Sequence, residues 1–155
     1  WVLEFGKWDL QSELKKGPEA RDAVDKYVDQ AVLTVYNSTY SNDGVTPVTG
    51  IVDMEGYSLA QLSSVNTVEF EVLKLRLIFI CLANLHSAYI INTNFVAQSF
   101  LNLVKPLLGR HFEKIEIYGT NKAIWMARIL RTIPRNQIPS WYGGSEDFKP
   151  VKVYG

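Results

Sequence analysis

One cysteine, Cys81, stands among 155 residues, so no disulfide can close within the chain and a reducing compartment is the simplest setting. Histidine is nearly as scarce. His86 and His111 lie far apart, with no cysteine or acidic residue at ligand spacing, so the sequence expects no metal site. Gly-rich phosphate loops and the G-x-S-x-G nucleophile elbow are both missing, which removes the commonest nucleotide and hydrolase signatures. Net charge is also missing: 16 basic residues offset 16 acidic ones, which gives no reason to expect nucleic acid as a partner. No secretory signal is visible, because the opening WVLEFGKWDL carries Glu4, Lys7 and Asp9 where an apolar core would stand. That opening lacks Met, as a fragment or processed chain would, and the lone sequon Asn37-Ser38-Thr39 is weak evidence for secretion.

A membrane span is lacking as well. The longest uncharged run, Leu77 to Val104, covers 28 residues, but Asn84, His86, Asn92, Asn94, Gln98 and Asn102 interrupt it. Its purely apolar core, Leu77 to Ala83, falls far short of the roughly 20 residues a spanning helix needs. The run reads as buried.

What is present is 47% apolar residues, enough for one core, and residues 1–155 are expected to form a single domain. Charge is unevenly placed: residues 1–71 hold 12 acidic and 5 basic side chains, whereas residues 72–155 hold 4 acidic and 11 basic. Either the basic half meets an anionic membrane surface, or the two halves attract each other within an ordinary fold.

Along the chain, Trp1 to Phe5 suits a strand. Gly17-Pro18-Glu19 opens an amphipathic helix whose apolar face is Val24, Tyr27, Val28, Ala31, Val32 and Val35. Ser41-Asn42-Asp43-Gly44 is a turn, and Val48 to Met54 a short strand. Asn66 with Glu69 has the form of a capping box, starting a helix that runs to about Leu85, although its first half, VEFEVLKLRL, also alternates like a strand. Ala88 to Asn92 suits a strand covered on both faces. Phe95 to Leu108 looks helical until Pro106 disturbs it, Lys114 to Tyr118 is a strand, and a helix follows from about Asn121 to Arg131. Strands alternating with helices predict an α/β fold with a mixed, mainly parallel sheet.

Few of these segments carry chemistry. Cys81 in LIFICLANL is by default a buried, inert thiol, and His86 a hydrogen-bonded histidine of the core or its rim. Asp53 and Glu55 form a carboxylate pair, more plausibly capping the next turn than catalysing. In IYGTNK, Thr120 is placed to cap a helix whose free N–H groups, with Lys122, would suit an anion. The apolar side chains Phe95, Phe100, Leu101, Leu103, Val104, Leu107 and Leu108 nearly encircle a helix whose one charge is Lys105. Such a helix is either wholly buried or faces ligand or lipid.

The succession VDMEG, YIIN, FLNLVKPLL, KIEIYG and IPSWYGG, opened by WVLEFGKWD, resembles the CRAL-TRIO lipid-binding domain, the module of retinaldehyde- and tocopherol-carrying proteins and of phosphatidylinositol transfer proteins. The resemblance covers nearly the whole chain. It implies a sheet flooring a deep apolar pocket walled by helices, with the segment around Phe95 to Leu108 as a mobile gate. On that basis the ligand would touch Phe70, Leu73, Leu77, Cys81, Tyr89, Ile91, Thr93, Phe95, Phe100, Leu103, Leu107, Ile115 and Ile117. The gate itself would comprise Phe95, Phe100, Leu101, Val104 and Leu108, and polar groups such as Thr93, Asn94, Tyr89 and His86 would fix one end of the ligand. Lys105, Arg110, Lys122 and Arg128 would meet the membrane or head groups, with Lys114 and Arg131 adding to the attraction.

The sequence departs from the family in three respects. The small helical domain that usually precedes the module does not appear in this sequence, as expected of a fragment or of a reduced protein. Leu82-Ala83-Asn84-Leu85-His86 stands where members that bind phosphatidylinositol carry Tyr-Pro-Glu. The helix after Gly119 runs about three residues long before its Ile-Pro, which breaks the match of Lys122 or Arg128 to a head-group lysine. The expected function is a non-enzymatic carrier for one isoprenoid, sterol, retinoid-like or neutral lipid, cytoplasmic and transiently at membranes, with the bound lipid in the place of a cofactor. A lipid-responsive scaffold within a larger signalling protein is the alternative. An enzyme acting on lipid, dependent on Cys81 or His86, is a third reading.

Overall fold

The computed structural model describes residues 1–153, apart from the side chains of residues 76 and 78–80. Strand β1 (Val2–Leu3) runs into a 3-10 turn at Phe5–Lys7, then α1 (Leu10–Lys15) and α2 (Pro18–Ser38). A hairpin of β2 (Tyr40–Ser41) and β3 (Gly44–Val45) precedes β4 (Val48–Asp53), α3 (Leu59–Ser63), α4 (Val65–Leu82) and β5 (Leu85–Ile91). The chain continues through α5 (Phe95–Leu108), a 3-10 stretch at Gly109–Lys114, β6 (Ile115–Ile117) and α6 (Lys122–Thr132), and ends in 3-10 turns at Arg135–Gln137 and Ser140–Tyr142. Four strands form one sheet in the order β1-β4-β5-β6, and every pairing in it is parallel. This is the α/β class that the strand–helix alternation predicts.

Period-two alternation splits the sheet into two chemical faces. Ile51, Tyr89 and Ile91 pack with Trp125, Ile129, Ile138 and Tyr142, so α6 and the C-terminal turns cover one side. Val52, Ile90, Ile115 and Ile117 pack with Ala97, Phe100, Leu101 and Val104, so α5 covers the other. A sheet covered on both faces has near-continuous apolar strands, which is why YII in β5 carries no charge.

Several expected boundaries move. The opening strand spans only Val2–Leu3, because the chain turns at Phe5. Ser64, not Asn66, caps α4 and accepts from the Thr67 amide at 3.3 Å, and the helix stops at Leu82 so that β5 can begin at Leu85. Asn121, not Thr120, caps α6 through the Ala123 amide at 3.2 Å. Pro106 sits in the last turn of α5 without ending it. Neither α1 nor α3 was expected. Asp9 caps α1 through the Ser12 amide at 3.1 Å. In α2 only Val28 of the expected apolar face is fully buried, with Val24 and Val32 packed partly against it and Phe70.

The opposed charges of the two halves meet between α4 and α2. Lys74 of α4, only 8% exposed, pairs with Asp25 at 2.7 Å and with Asp29, both on α2, and its ammonium lies 5.7 Å from the Phe70 ring centre.

Candidate functional site

Helix α5 lies over the sheet with two different sides. Ala97, Phe100, Leu101, Val104 and Leu108 are buried. Phe95, Leu103 and Leu107 are exposed at 87%, 52% and 37%. These three share one row with Ser99, since residues four apart align on a helix surface. The encircling apolar composition thus resolves into an inner face on the protein and an outer face on solvent, where this apolar row runs beside exposed Gln98, Asn102 and Lys105, the last of which sits 4.7 Å over the Phe112 ring.

Beneath α5, the Phe5, Tyr57 and Phe100 rings nest together with centroids 5.5, 5.9 and 6.3 Å apart. Asn94 fixes the start of the helix: its side chain accepts from the Ala97 amide at 2.9 Å and donates to the Tyr57 carbonyl at 2.8 Å. Gly109, with φ of 50°, ends it in the left-handed region that favours glycine. Helix α5 is therefore a panel tied at its amino end to the loop after β4.

The sequence-derived ligand residues do not converge on one cavity in this arrangement. Ile115, Ile117 and Phe100 lie under α5. Tyr89 and Ile91 are on the opposite face of the sheet, where the Tyr89 hydroxyl donates to Thr132 at 2.7 Å. Thr93 gives its hydroxyl to the Tyr118 carbonyl at 2.7 Å. Phe70 packs with Leu10 and Val28. Cys81 is buried and its thiol donates to the Val32 carbonyl at 3.3 Å. Burial pushes that thiol up, keeping it protonated and unreactive near neutral pH. Leu73 is 46% exposed, Leu77 is half-buried and His86 is exposed, so this histidine is not in the core. The apolar run Leu77 to Ala83 includes Ile78, Phe79 and Ile80, whose side chains lie outside the described residues.

Of the expected head-group cations, Lys105, Arg110 and Lys122 are exposed. Arg128 is not available in the same way. It forms a two-pronged pair with Glu116 at 2.8 and 2.7 Å, and these bonds, with one from Tyr118, hold the Glu116 carboxyl below its ordinary range. Lys114 donates to the Leu85 carbonyl at 2.7 Å and clips the start of β5.

Two polar groups were missed by the sequence reading. Glu71 is 4% exposed and accepts from the buried Tyr57 hydroxyl at 3.0 Å. Burial pushes its carboxyl up to about 7, and burial with the nearby Glu71 charge pushes Tyr57 far above its ordinary value. Thr67, one turn earlier on α4, is fully buried. A signal existed: Thr67, Glu71 and Lys74 recur with Phe70 at helical spacing, which puts three polar side chains on the buried phase of α4. Elsewhere, Asp53 is satisfied by the Glu55 amide and Asn92, both at 2.9 Å, and by Tyr142 at 2.7 Å. It caps the turn after β4, leaving no oxygen for catalysis.

A cleft of about 310 Å³ opens near Trp1, Pro47, Thr49, Thr132 and Ile133. A second of about 200 Å³ lies between α1 and α2. Neither is lined by a residue of α5. Among the described residues no three His, Cys, Asp or Glu side chains group as a metal site would require, and no helix is long and apolar enough to cross a membrane.

A family model described as the CRAL/TRIO domain matches residues 1–144. A search of curated proteins found no match.

Proposed function

The chain belongs to the CRAL/TRIO domain family, whose members in general bind and transfer small hydrophobic ligands, and we propose that this one holds a single lipid-like molecule beneath α5 and exchanges it at membranes. The observation that carries this reading is the division of α5 into a buried apolar face and an exposed apolar row. A helix that only closed a core would gain nothing from Phe95, Leu103 and Leu107 in water, whereas a panel that opens onto a bilayer can bury both sides. In the closed arrangement Phe100 fills the volume a ligand would take. Outward movement of α5 about its Gly109 end would free that volume above Val52, Ile90, Ile115 and Ile117.

Affinity would come mainly from apolar burial, at about 25 cal/mol per Å² before ordering costs. Lys105, Arg110 and Lys122 would add attraction to anionic lipid that weakens as salt rises. The ligand would be an isoprenoid, sterol, retinoid-like or neutral lipid, the setting cytoplasmic with transient membrane contact, and no catalysis is needed.

The test is extraction of the purified protein with organic solvent, followed by mass spectrometry and absorbance. A stoichiometric hydrophobic molecule supports the carrier. An empty extract with no uptake from a lipid panel would replace it with a regulatory module that contacts membrane without carrying cargo.

A further inference from the structure

Glu71 Oε1 and Thr67 Oγ1 are buried and have no hydrogen-bond partner among the described residues. Both side chains project from one face of α4, four residues apart. The remaining oxygen of Glu71 is committed to the Tyr57 hydroxyl at 3.0 Å. Lys74, the charged residue that follows on the same phase, has Asp25 and Asp29 to pair with. Among the described residues nothing comparable serves Glu71. Buried polar atoms in folded proteins are nearly always partnered, so two orphans on one face point to a missing group.

Tyr57 links this pair to the volume under α5, because its ring packs against Phe5 and Phe100. Resting on the carrier reading above, we infer that Glu71 and Thr67 form the polar end of the ligand chamber and select an uncharged apolar alcohol. One hydroxyl satisfies both orphans at once: its hydrogen goes to Glu71 Oε1, and its oxygen accepts from the Thr67 hydroxyl. An aldehyde or ester carbonyl has no hydrogen for Oε1. A carboxylate ligand would place a second negative charge against Glu71 without a cation between them.

The experiment uses the full chain after delipidation, at about pH 8.5 so that the Glu71 carboxyl, which burial raises to about 7, is ionised and Oε1 can only accept, with farnesol, farnesal and farnesoic acid as probes in a co-elution and tryptophan-fluorescence assay. Farnesol is expected to bind roughly tenfold more tightly than farnesal, the scale of one lost buried hydrogen bond, and farnesoic acid more weakly still. In Glu71→Gln the amide oxygen serves Tyr57 and the amide N–H replaces Oε1, so the preference shifts toward farnesal. Thr67→Val weakens both ligands. Equal wild-type binding of alcohol and aldehyde, or an unchanged ratio in Glu71→Gln, overturns the inference. If a lipid without a hydroxyl is extracted from the protein while none of the three probes binds, the alcohol assignment fails and the carrier stands. If nothing is extracted and nothing binds, both fail.

Discussion

Tyr142 donates its hydroxyl to Asp53 Oδ2 at 2.7 Å, joining residues 89 positions apart in the chain. Both are buried, and burial together with the Asp53 carboxylate drives the tyrosine far above its ordinary pKa. The bond fastens the C-terminal turns to the end of β4, under the Trp125 indole that donates to Asn92 at 3.1 Å. Tyr142→Phe should cost about 1.5–3 kcal/mol, since it removes a hydrogen bond to a buried charged group and leaves that oxygen short of a donor. Urea denaturation reads the loss, and a change below about 0.5 kcal/mol would mean that water serves Asp53 as well as tyrosine does.

Gly6 allows a crossing of main chain over main chain. A Cβ there would come within 2.3–2.5 Å of the Met54 and Glu55 backbone, and backbone cannot retreat as a flexible side chain can. Gly6→Ala is expected to cost about 3 kcal/mol or more and to lower thermal stability well beyond an alanine at Gly17, where space is open but the positive φ still carries strain. Equal melting temperatures for the two variants would show that the crossing gives way.

Glu71 makes stability depend on pH in a defined direction. Its carboxyl titrates near 4.5 in the unfolded chain and at about 7 in the fold, where burial disfavours the charge. Between those values the fold binds the more protons, so stability falls as pH rises through the window and returns on acidification. The full effect is about 3 kcal/mol at most. Glu71→Gln lacks this titration, so it should match wild type at about pH 4, below the unfolded value, and exceed it by about 2–3 kcal/mol near pH 8. Parallel stability curves for the two proteins would show that Glu71 stays charged throughout.

What could be read from sequence depended on whether the cause was local. Helices α2 and α6 and strands β4, β5 and β6 follow from caps, prolines and periodicity within their own segments, and they stand within a few residues of expectation. Helix α1, LQSELK, buries only Leu10 and gives almost no periodic signal, so it depends on its Asp9 cap. The candidate site was harder. In VEFEVLKLRL the acidic residues look like the wet half of an alternation, and only the packing of α4 against α2 and the sheet shows that Glu71 faces inward while Glu69 does not. Helix α5 hid its phase for the opposite reason. With apolar residues on every side, periodicity cannot say whether Phe95 or Phe100 points to the core.

That phase decides where the gate should be tested. Phe100, a gate residue by sequence, is 4% exposed and packed on Phe5 and Tyr57, so Phe100→Asp should prevent folding and says nothing about exchange. The outer row separates the two effects. Phe95→Asp and Leu103→Asp alter side chains already in water, and each should change stability by no more than about 0.5 kcal/mol. At a bilayer the same substitutions oppose insertion of the row, each by roughly 2–3 kcal/mol if the site reaches the hydrocarbon, and lipid transfer between vesicles should fall at least tenfold while ligand stays bound in solution. Unchanged transfer with both charges in place would mean that α5 does not enter the membrane and that the exposed row serves a protein contact instead.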